Sequence, residues 1–346
     1  MKKFNEIFID KTKYGEKIQT SEYEKQGKHI IVDQGQAEIA GYTNREEGLF
    51  NEVPVIIFGD HTRLIKYIDE PFFLGADGVK VLRSKEKNAN YKYLYYALKS
   101  AKIPNTGYNR HFKWLKDVEI NYPDSVKQEK IVDILDRVSD VIEKRKAELS
   151  YLDTLIKARF VEMFGDPVMN EKDWPTKPLL DMGQCKNGMN FHYDDEGVEI
   201  NCLGVGDFKD FSVINNTDKL PKISLKEMPS EEYLLKDDDI VFVRSNGNKD
   251  LVGRSIAVYP GDIPTTFSGF CIRYRKHDNE ITAPYLLRVL KADSMRVKMT
   301  GRGANIQNLN QQILRTLVIP VPPIQLQDQF ADFVHQVDKS KFMKSF

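Results

Sequence analysis

Residues 115–135 read LKDVEINYPDSVKQEKIVDIL, and residues 314–334 read LRTLVIPVPPIQLQDQFADFV. Laid over one another at an offset of 199, they agree in kind. Leu115, Val118, Ile120, Ile131, Ile134 and Leu135 fall on Leu314, Leu317, Ile319, Phe330, Phe333 and Val334. Pro123 falls on Pro322, Gln128 on Gln327 and Glu129 on Asp328. In both copies a strand-like segment ends in proline and runs into a helix. A repeat of this period in a chain of 346 residues means one unit used twice, and such self-similarity decides the architecture.

Upstream the offset shortens. Residues 94–99 (LYYALK) match residues 286–291 (LLRVLK) at 192, and Gly78-Val79 matches Gly269-Phe270 at 191. Val55 to Phe58, ahead of a polar loop containing glycine, resembles Ile240 to Val243 ahead of residues 244–249. Changes in loop length explain the drift. Each copy reads as α+β. Short β-rich runs over residues 240–243, 254–259 and 269–274 are separated by Gly, Asn, Asp and Pro. Pro284 then opens an amphipathic helix through Lys291, in the first turn where its missing N–H has no helical partner to lose. Residues 91–99 form the corresponding helix of the first copy. Strand-like segments over 118–123 and 317–322 follow.

A different kind of segment lies between the copies. Residues 127–163 contain no Gly and no Pro, and Leu135, Val138, Ile142, Arg145, Leu149, Leu152, Ile156, Arg159 and Met163 recur at alternating spacings of three and four. That is a coiled-coil seam, interrupted by two arginines. Gly165 and Pro167 stop it. At 1.5 Å per residue the helix spans roughly 55 Å and needs a partner helix. Leu135, Val138, Ile142, Leu149, Leu152 and Ile156 are therefore expected in a subunit interface. The expected fold is α+β, two duplicated domains joined by a long coiled-coil helix. The divisions are residues 1–124, 125–166 (the helix), 167–323, and 324–346 (the start of a second helix).

Composition narrows the class of function. Hydrophobic residues make up 41% and charged residues 29%, which excludes disorder over most of the chain. There is no apolar leader after Met1, and the longest apolar runs, such as residues 53–58, fall far below the ~20 residues of a membrane helix. A cytoplasmic protein is expected. Cys185, Cys202 and Cys271 are widely spaced with no C-x-x-C, which argues against both a disulfide framework and a thiolate metal site. Net charge is zero, and residues 1–124 hold 20 Lys and Arg against 18 Asp and Glu. Any face for nucleic acid must arise by local clustering.

Enzyme motifs are absent or weak. There is no P-loop and no adenine-methyltransferase tetrapeptide, and the histidines show no metal-ligand spacing. Gly204-Val205-Gly206 lacks the third glycine of a dinucleotide loop and reads as a turn. Asp195 followed by Asp207-Phe208-Lys209 imitates the spaced acids of a metal-dependent nuclease, a pattern that arises freely in so charged a chain.

Several stretches together carry a resemblance. Gln128-Glu129-Lys130-Ile131, residues 159–167 (RFVEMFGDP), residues 239–244 (DIVFVR) followed by Leu251-Val252-Gly253-Arg254, and residues 318–323 (VIPVPP) are similar, in this order, to the DNA-specificity subunits of type I restriction–modification enzymes. The resemblance covers nearly the whole chain. It implies two target-recognition domains, each reading one half of a split site in double-stranded DNA, held apart by two antiparallel conserved helices. It implies no cofactor and no chemistry in this chain. Two modification subunits would methylate adenine with S-adenosylmethionine, and restriction subunits would cleave with ATP and Mg2+. In this family the second conserved helix runs further than Phe346, so an exposed apolar stripe is expected over residues 149–163, where its partner would be missing. An assembly rod with no DNA role and a silent, truncated specificity cassette remain as alternatives.

DNA readers hold phosphates with Lys, Arg and backbone N–H groups, and read base edges with Arg, Asn and Gln. Two loops per domain carry these residues. In the second domain they are Arg244, Ser245, Asn246, Asn248 and Lys249, and then Arg302, Asn305, Gln307 and Asn308. In the first they are His61, Thr62 and Arg63, and then Asn105, Tyr108, Asn109 and Arg110, with His111 beside them. An ordinary hairpin loop also contains Asn-Gly, and Tyr108 and His111 could serve only in packing.

Overall fold

The computed structural model describes residues 1–75, 77–107, 109–191, 197–208, 213–300 and 308–343, with the backbone alone at Lys249, Phe342 and Met343. Two compact units emerge, Met1–Arg145 and Lys146–Phe346. The helix Ser125–Phe164 runs through the division and gives part of its length to each. It starts where Asp124 accepts the Lys127 N–H on Oδ1 at 3.0 Å, satisfying a first-turn donor. It ends where Gly165 turns to a φ of 76° and returns its N–H to the Val161 carbonyl at 2.8 Å. A left-handed glycine is the usual terminator because a Cβ there is costly.

In unit 1 the main sheet runs in the order Phe8–Asp10, Val79–Ser84, Val55–Gly59, Ile65–Ile68, all antiparallel. A second sheet places His29–Val32 between Gly41–Thr43 (antiparallel) and Phe72–Leu74 (parallel). Unit 2 repeats this strand for strand. Gly183–Asn187, Cys271–Lys276, Asp239–Val243 and Ser255–Val258 form the main sheet, with Val213–Ile214 added at the edge. Val198–Leu203 lies between antiparallel Lys222–Leu225 and parallel Thr265–Phe267. A two-stranded ribbon closes each unit, Lys2–Lys3 with Glu119–Ile120 and Thr176–Pro178 with Val318–Pro320.

The central strand of each main sheet is buried on both faces, which is why it reads as an unbroken apolar run. Ile56 and Phe58 face a helical layer built on Tyr91–Lys99, while Val55 and Ile57 face the second sheet. In unit 2 Ile240 and Phe242 face the layer of Ala283–Lys291, and Val241 and Val243 face the second sheet.

Hydrogen bonds fix the correspondence between the copies. Asn90 and Thr282 cap the two layer helices by accepting the N–H groups of Tyr93 and Tyr285. Tyr93 donates its hydroxyl to the Asn121 carbonyl at 2.6 Å, and Tyr285 to Pro320 at 2.9 Å. Gln128 and Gln327 each donate Nε2 to the proline carbonyl five residues back, both at 2.9 Å. The sheet register corrects two expected matches. Ile56 and Phe58 face the helical layer as Ile240 and Phe242 do, so Val55–Phe58 corresponds to residues 239–242 rather than to 240–243. Phe58 pairs with Lys80, and Phe242 with Ile272, so the offset is already 192 in the partner strand and Gly78 corresponds to Phe270 rather than Gly269.

A second correction concerns the helix seam. Residues 149–163 were expected to be bare. Instead Ile156 (0% exposed), Phe160 and Met163 lie in the core of unit 2, and Leu152 packs against it. Ile156 is therefore not available as a subunit interface. The cause is the helix Ile324–Met343, which starts beside the end of the long helix and runs back along it. Phe330 meets Phe160 and Phe164, Phe333 lies under Arg159, and Lys341 pairs with Asp153 at 2.7 Å. Of the seam residues, Val138, Ile142 and Leu149 are exposed and Leu135 is half-buried, so within 149–163 the expectation holds at Leu149; off the seam Ile134, Val141, Leu155 and Val161 are exposed as well. Among the described residues no helix is long and apolar enough to cross a membrane.

Candidate nucleic-acid interface

The candidate loops leave the main sheet at its central hairpin. In unit 1 the hairpin joins Val55–Gly59 to Ile65–Ile68. Gly59 donates its N–H to the Leu64 carbonyl at 2.8 Å, and Arg63 donates to Gly59 at 2.7 Å. In unit 2 Val243 donates to Arg254 at 2.9 Å, and Gly253 to Val243 at 2.8 Å. The closing residue is left-handed in both, Arg63 at φ 62° and Gly253 at φ 75°. Between these fixed points stand residues 60–62 in unit 1 and 244–252 in unit 2, six more. This insertion is one of the steps by which the offset drifts.

The first loop residue is gripped from both sides. Asp60 donates its N–H to the Gly78 carbonyl at 2.7 Å, and its own carbonyl accepts the His111 N–H at 2.7 Å. Arg244 donates to the Phe270 carbonyl at 2.8 Å and accepts the Leu309 N–H at 2.8 Å. Thus the second candidate loop, which ends at His111 or Asn308, is tied to the root of the hairpin loop in each unit. Ser245 and Asn308 also form a β-bridge. The loops that sequence reasoning singled out separately become neighbours by the same backbone device in both copies.

In unit 1 His61 (half-buried), Thr62 (exposed) and Arg63 (half-buried) sit on a stiff loop. Gln34 accepts the His61 N–H on Oε1 at 3.0 Å, and its carbonyl accepts the Thr62 hydroxyl at 2.7 Å. Arg63 reaches the Ile103 carbonyl with Nη1 at 3.4 Å. Asn105, Asn109 and Arg110 are exposed, and Asn109 donates Nδ2 to the Thr106 carbonyl at 2.7 Å. His111 is fully buried, with Nδ1 at 3.0 Å from the Asp60 carbonyl and its ring against Trp114. Its part is to hold the root. Lys17 and Arg110 hold the exposed Asp77 carboxyl below its ordinary range, with Lys17 the larger influence. Tyr108 lies outside the described residues.

In unit 2 Arg244, Ser245 and Asn246 are half-buried and Asn248 and Asn308 are exposed. Asn246 accepts the Asn248 N–H on Oδ1 at 2.8 Å, and Asn248 accepts the Asp250 N–H on Oδ1 at 3.0 Å. These turns use the amide oxygens as acceptors. Arg244 donates Nη1 to the Gly269 carbonyl at 3.3 Å. Ser245, Asn246, Asn308 and Phe270 border a cleft of about 840 Å³ whose far wall is the turn at Gly204 and Asp207. Arg302, Asn305 and Gln307 lie outside the described residues, as does the side chain of Lys249.

Phe270 is the residue that sequence reasoning missed. It is 62% exposed at the mouth of the cleft, one residue before a buried strand. A large bare aromatic at the root of a candidate loop offers a flat apolar surface to a ligand. Its position after Gly269 and before an apolar run hid it as one more strand residue.

Asp207 closes its turn by accepting the Gly204 N–H on Oδ2 at 2.8 Å. Asp195 and Lys209 lie outside the described residues. No cluster of three or more potential metal ligands occurs among the described residues. The three cysteines are free thiols. Burial pushes the Cys185 and Cys202 thiols up to about 12, which removes thiolate chemistry at neutral pH.

Known proteins resemble this chain along most of its length. The family model described as type I restriction modification DNA specificity domain matches residues 1–151 and again residues 171–344. The StySPI specificity subunit of a type I restriction enzyme from Salmonella potsdam is 32% identical over 160 residues, covering 44% of this chain and 33% of that protein. The EcoR124I/EcoR124II specificity subunit from Escherichia coli is 22% identical over 334 residues, covering 89% of this chain and 79% of that protein. The crystal structure of a type I restriction–modification S subunit from M. genitalium superposes with a TM-score of 0.56 at 18% identity, covering 99% of this chain and 90% of that one. That likeness speaks to the fold.

Proposed function

Since the chain belongs to the type I restriction modification DNA specificity family and carries its domain twice, we propose that each unit reads one half of a two-part site in double-stranded DNA through its pair of gripped loops. The observation that carries this reading is the shared root: Asp60 and Arg244 each hold a hairpin loop and a second polar loop side by side. Preorganised loops lose little freedom on binding, so their Arg, Asn and aromatic side chains are spent on discrimination rather than ordering. Backbone N–H groups and cations hold phosphates, and Asn246, Asn248 and Asn308 offer the amide pairs that match adenine. Phe270 supplies an apolar surface for a base or sugar at the mouth of the cleft.

In this reading the chain only recognises DNA. Two modification subunits methylate adenine with S-adenosylmethionine, and restriction subunits add ATP- and Mg2+-dependent cleavage. The long helix gives them a place to assemble through the exposed seam residues Val138, Ile142 and Leu149, with Leu135 and Leu152 at its half-buried ends.

The test is a map of adenine methylation in a host that expresses the chain with its modification subunits. Methylation is expected at one split motif. The double variant Asn246→Ala/Asn248→Ala, with Phe270 intact, is expected to relax one half of that motif and leave the other unchanged. Methylation indifferent to both changes would remove these loops from recognition. Binding by the assembled complex is also expected to fall steeply as salt rises, because phosphate contacts release counterions.

A further inference from the structure

The second sheets of the two units reach the same step and then part. In unit 1 Val32 pairs with Leu74, and its carbonyl accepts the Gly75 N–H at 2.8 Å. In unit 2 Leu203 pairs with Phe267, and its carbonyl accepts the Ser268 N–H at 2.9 Å. Asp33-Gln34 therefore stands where unit 2 has Gly204-Val205. Gln34 crosses to the hairpin root. It accepts the His61 N–H and the Thr62 hydroxyl, and it donates Nε2 to the Asp77 carbonyl at 2.8 Å. Val205 has no polar side-chain atom to do the same, and it packs against the core between the sheets. At this place unit 2 has the 840 Å³ cleft, with the Gly204–Asp207 turn on one side and Ser245, Asn246 and Asn308 on the other.

The two sides differ in chemistry. Serine and asparagine side chains both donate and accept. The turn presents a carboxylate. Asp207 gives Oδ2 to the Gly204 N–H, and among the described residues Oδ1 accepts no hydrogen bond. A carboxylate accepts and cannot donate, and it repels phosphate. Whatever reaches it must bring a donor and no negative charge. On the major-groove edges of DNA bases those donors are the cytosine N4 and adenine N6 amino groups. Phe270 at the mouth gives the base a flat apolar neighbour.

We propose that Asp207 is a specificity-determining residue of unit 2, its Oδ1 accepting the exocyclic amino group of one cytosine or adenine that enters the cleft between the turn and the hairpin loop. The inference rests on the DNA reading above and adds the class of letter at one position of one half-site. Unit 1 bridges the same space with Gln34, so its half-site gains no such contact.

The test is Asp207→Asn in the full chain, assembled with its modification subunits. Asparagine keeps an oxygen for the Gly204 N–H and puts a donor where Oδ1 stood. The methylated motif is expected to change at one position, in the half that Asn246→Ala/Asn248→Ala relaxes. There a required cytosine should widen to cytosine or thymine, or a required adenine to adenine or guanine, because the keto oxygen takes the place of the amino group. The first change assigns N4 and the second N6. Binding is measured beside it on duplexes that lack one amino group at a time. One such deletion should weaken the unaltered complex about tenfold and the Asp207→Asn complex by less than about twofold. A natively melting Asp207→Asn chain that keeps the motif letter for letter, or deletions that cost both complexes alike, would overturn the inference and leave the DNA reading standing. If the variant melts early, the unaltered complex decides: indifference to every amino group of that half would overturn it. A complex that methylates no split motif would remove the reading and the inference together.

Discussion

Unit 1 and unit 2 grip the hairpin root with the same backbone bonds and differ in the residue that supplies the carbonyl. In unit 1 it is Gly78 at φ 91°, and a Cβ there would stand 2.7 Å from Gln34 Nε2 and 2.9 Å from His61. The protein's own side chains occupy that space. In unit 2 the same position is Phe270, whose ring projects outward beside an 840 Å³ cleft. One frame thus presents a short loop braced from within and a long loop over open space. The frame is fixed by backbone bonds and the core, and the surface it offers is set by a few residues hung from it.

The largest effect should come from removing what unit 2 has and unit 1 lacks. Phe164→Ala empties an aromatic cluster and is expected to destabilise unit 2 by about 3–5 kcal/mol. Hydrogen exchange should then report loss of protection in unit 2 alone; equal loss in unit 1 would contradict the division into two cores. Next comes the glutamine pair. Gln327 is fully buried; it accepts the Thr282 N–H and donates to the Glu280 and Pro322 carbonyls. Its replacement by alanine strands three backbone groups and should cost about 2–4 kcal/mol. Gln128→Ala breaks one such bond and should cost about 1 kcal/mol. Similar melting shifts for the two variants would break the comparison.

Smaller again, Gly78→Ala sets a Cβ on a left-handed residue against Gln34 and should destabilise unit 1 by about 1–3 kcal/mol. Phe270→Gly, at the matching position, should change stability by less than about 1 kcal/mol while weakening DNA binding by the assembled complex. The least effect is a gain. Arg63→Gly relieves a left-handed arginine and should raise the stability of unit 1 by up to about 1 kcal/mol, measurable as a rise in its melting midpoint. A fall instead would mean that the Arg63 guanidinium bond to Ile103 outweighs the backbone strain.

Much of this was legible in the residues. Gln128 and Gln327, each five residues after a proline, announced the duplication because a buried amide bonded to that carbonyl leaves a spacing that survives sequence drift. The apolar runs at 55–58 and 240–243 marked strands buried on both faces. The polar loops were found by their Arg and Asn content. What covers a helix face was not legible. A seam of threes and fours shows which side of a helix is apolar, but the covered stretch, residues 152–163, depends on where Ile324–Met343 begins and which way it runs. Nor could Phe270 be found, since exposure at a strand's mouth depends on the space above it. The slip of one residue at Gly269 came from matching glycines across a boundary that only hydrogen-bond register resolves.

The left-handed closure of the hairpin has a consequence for how such a frame changes over generations. Closing a loop costs entropy that grows only with the logarithm of its length, so going from three residues to nine adds about 1 kcal/mol. With Arg63 or Gly253 clamping one end and the grip at Asp60 or Arg244 clamping the other, residues inserted between them leave the strand register in place, and the longer loop adds Val252 to the core of unit 2. A lineage can therefore try new lengths and new letters at one address while every other address stays in place.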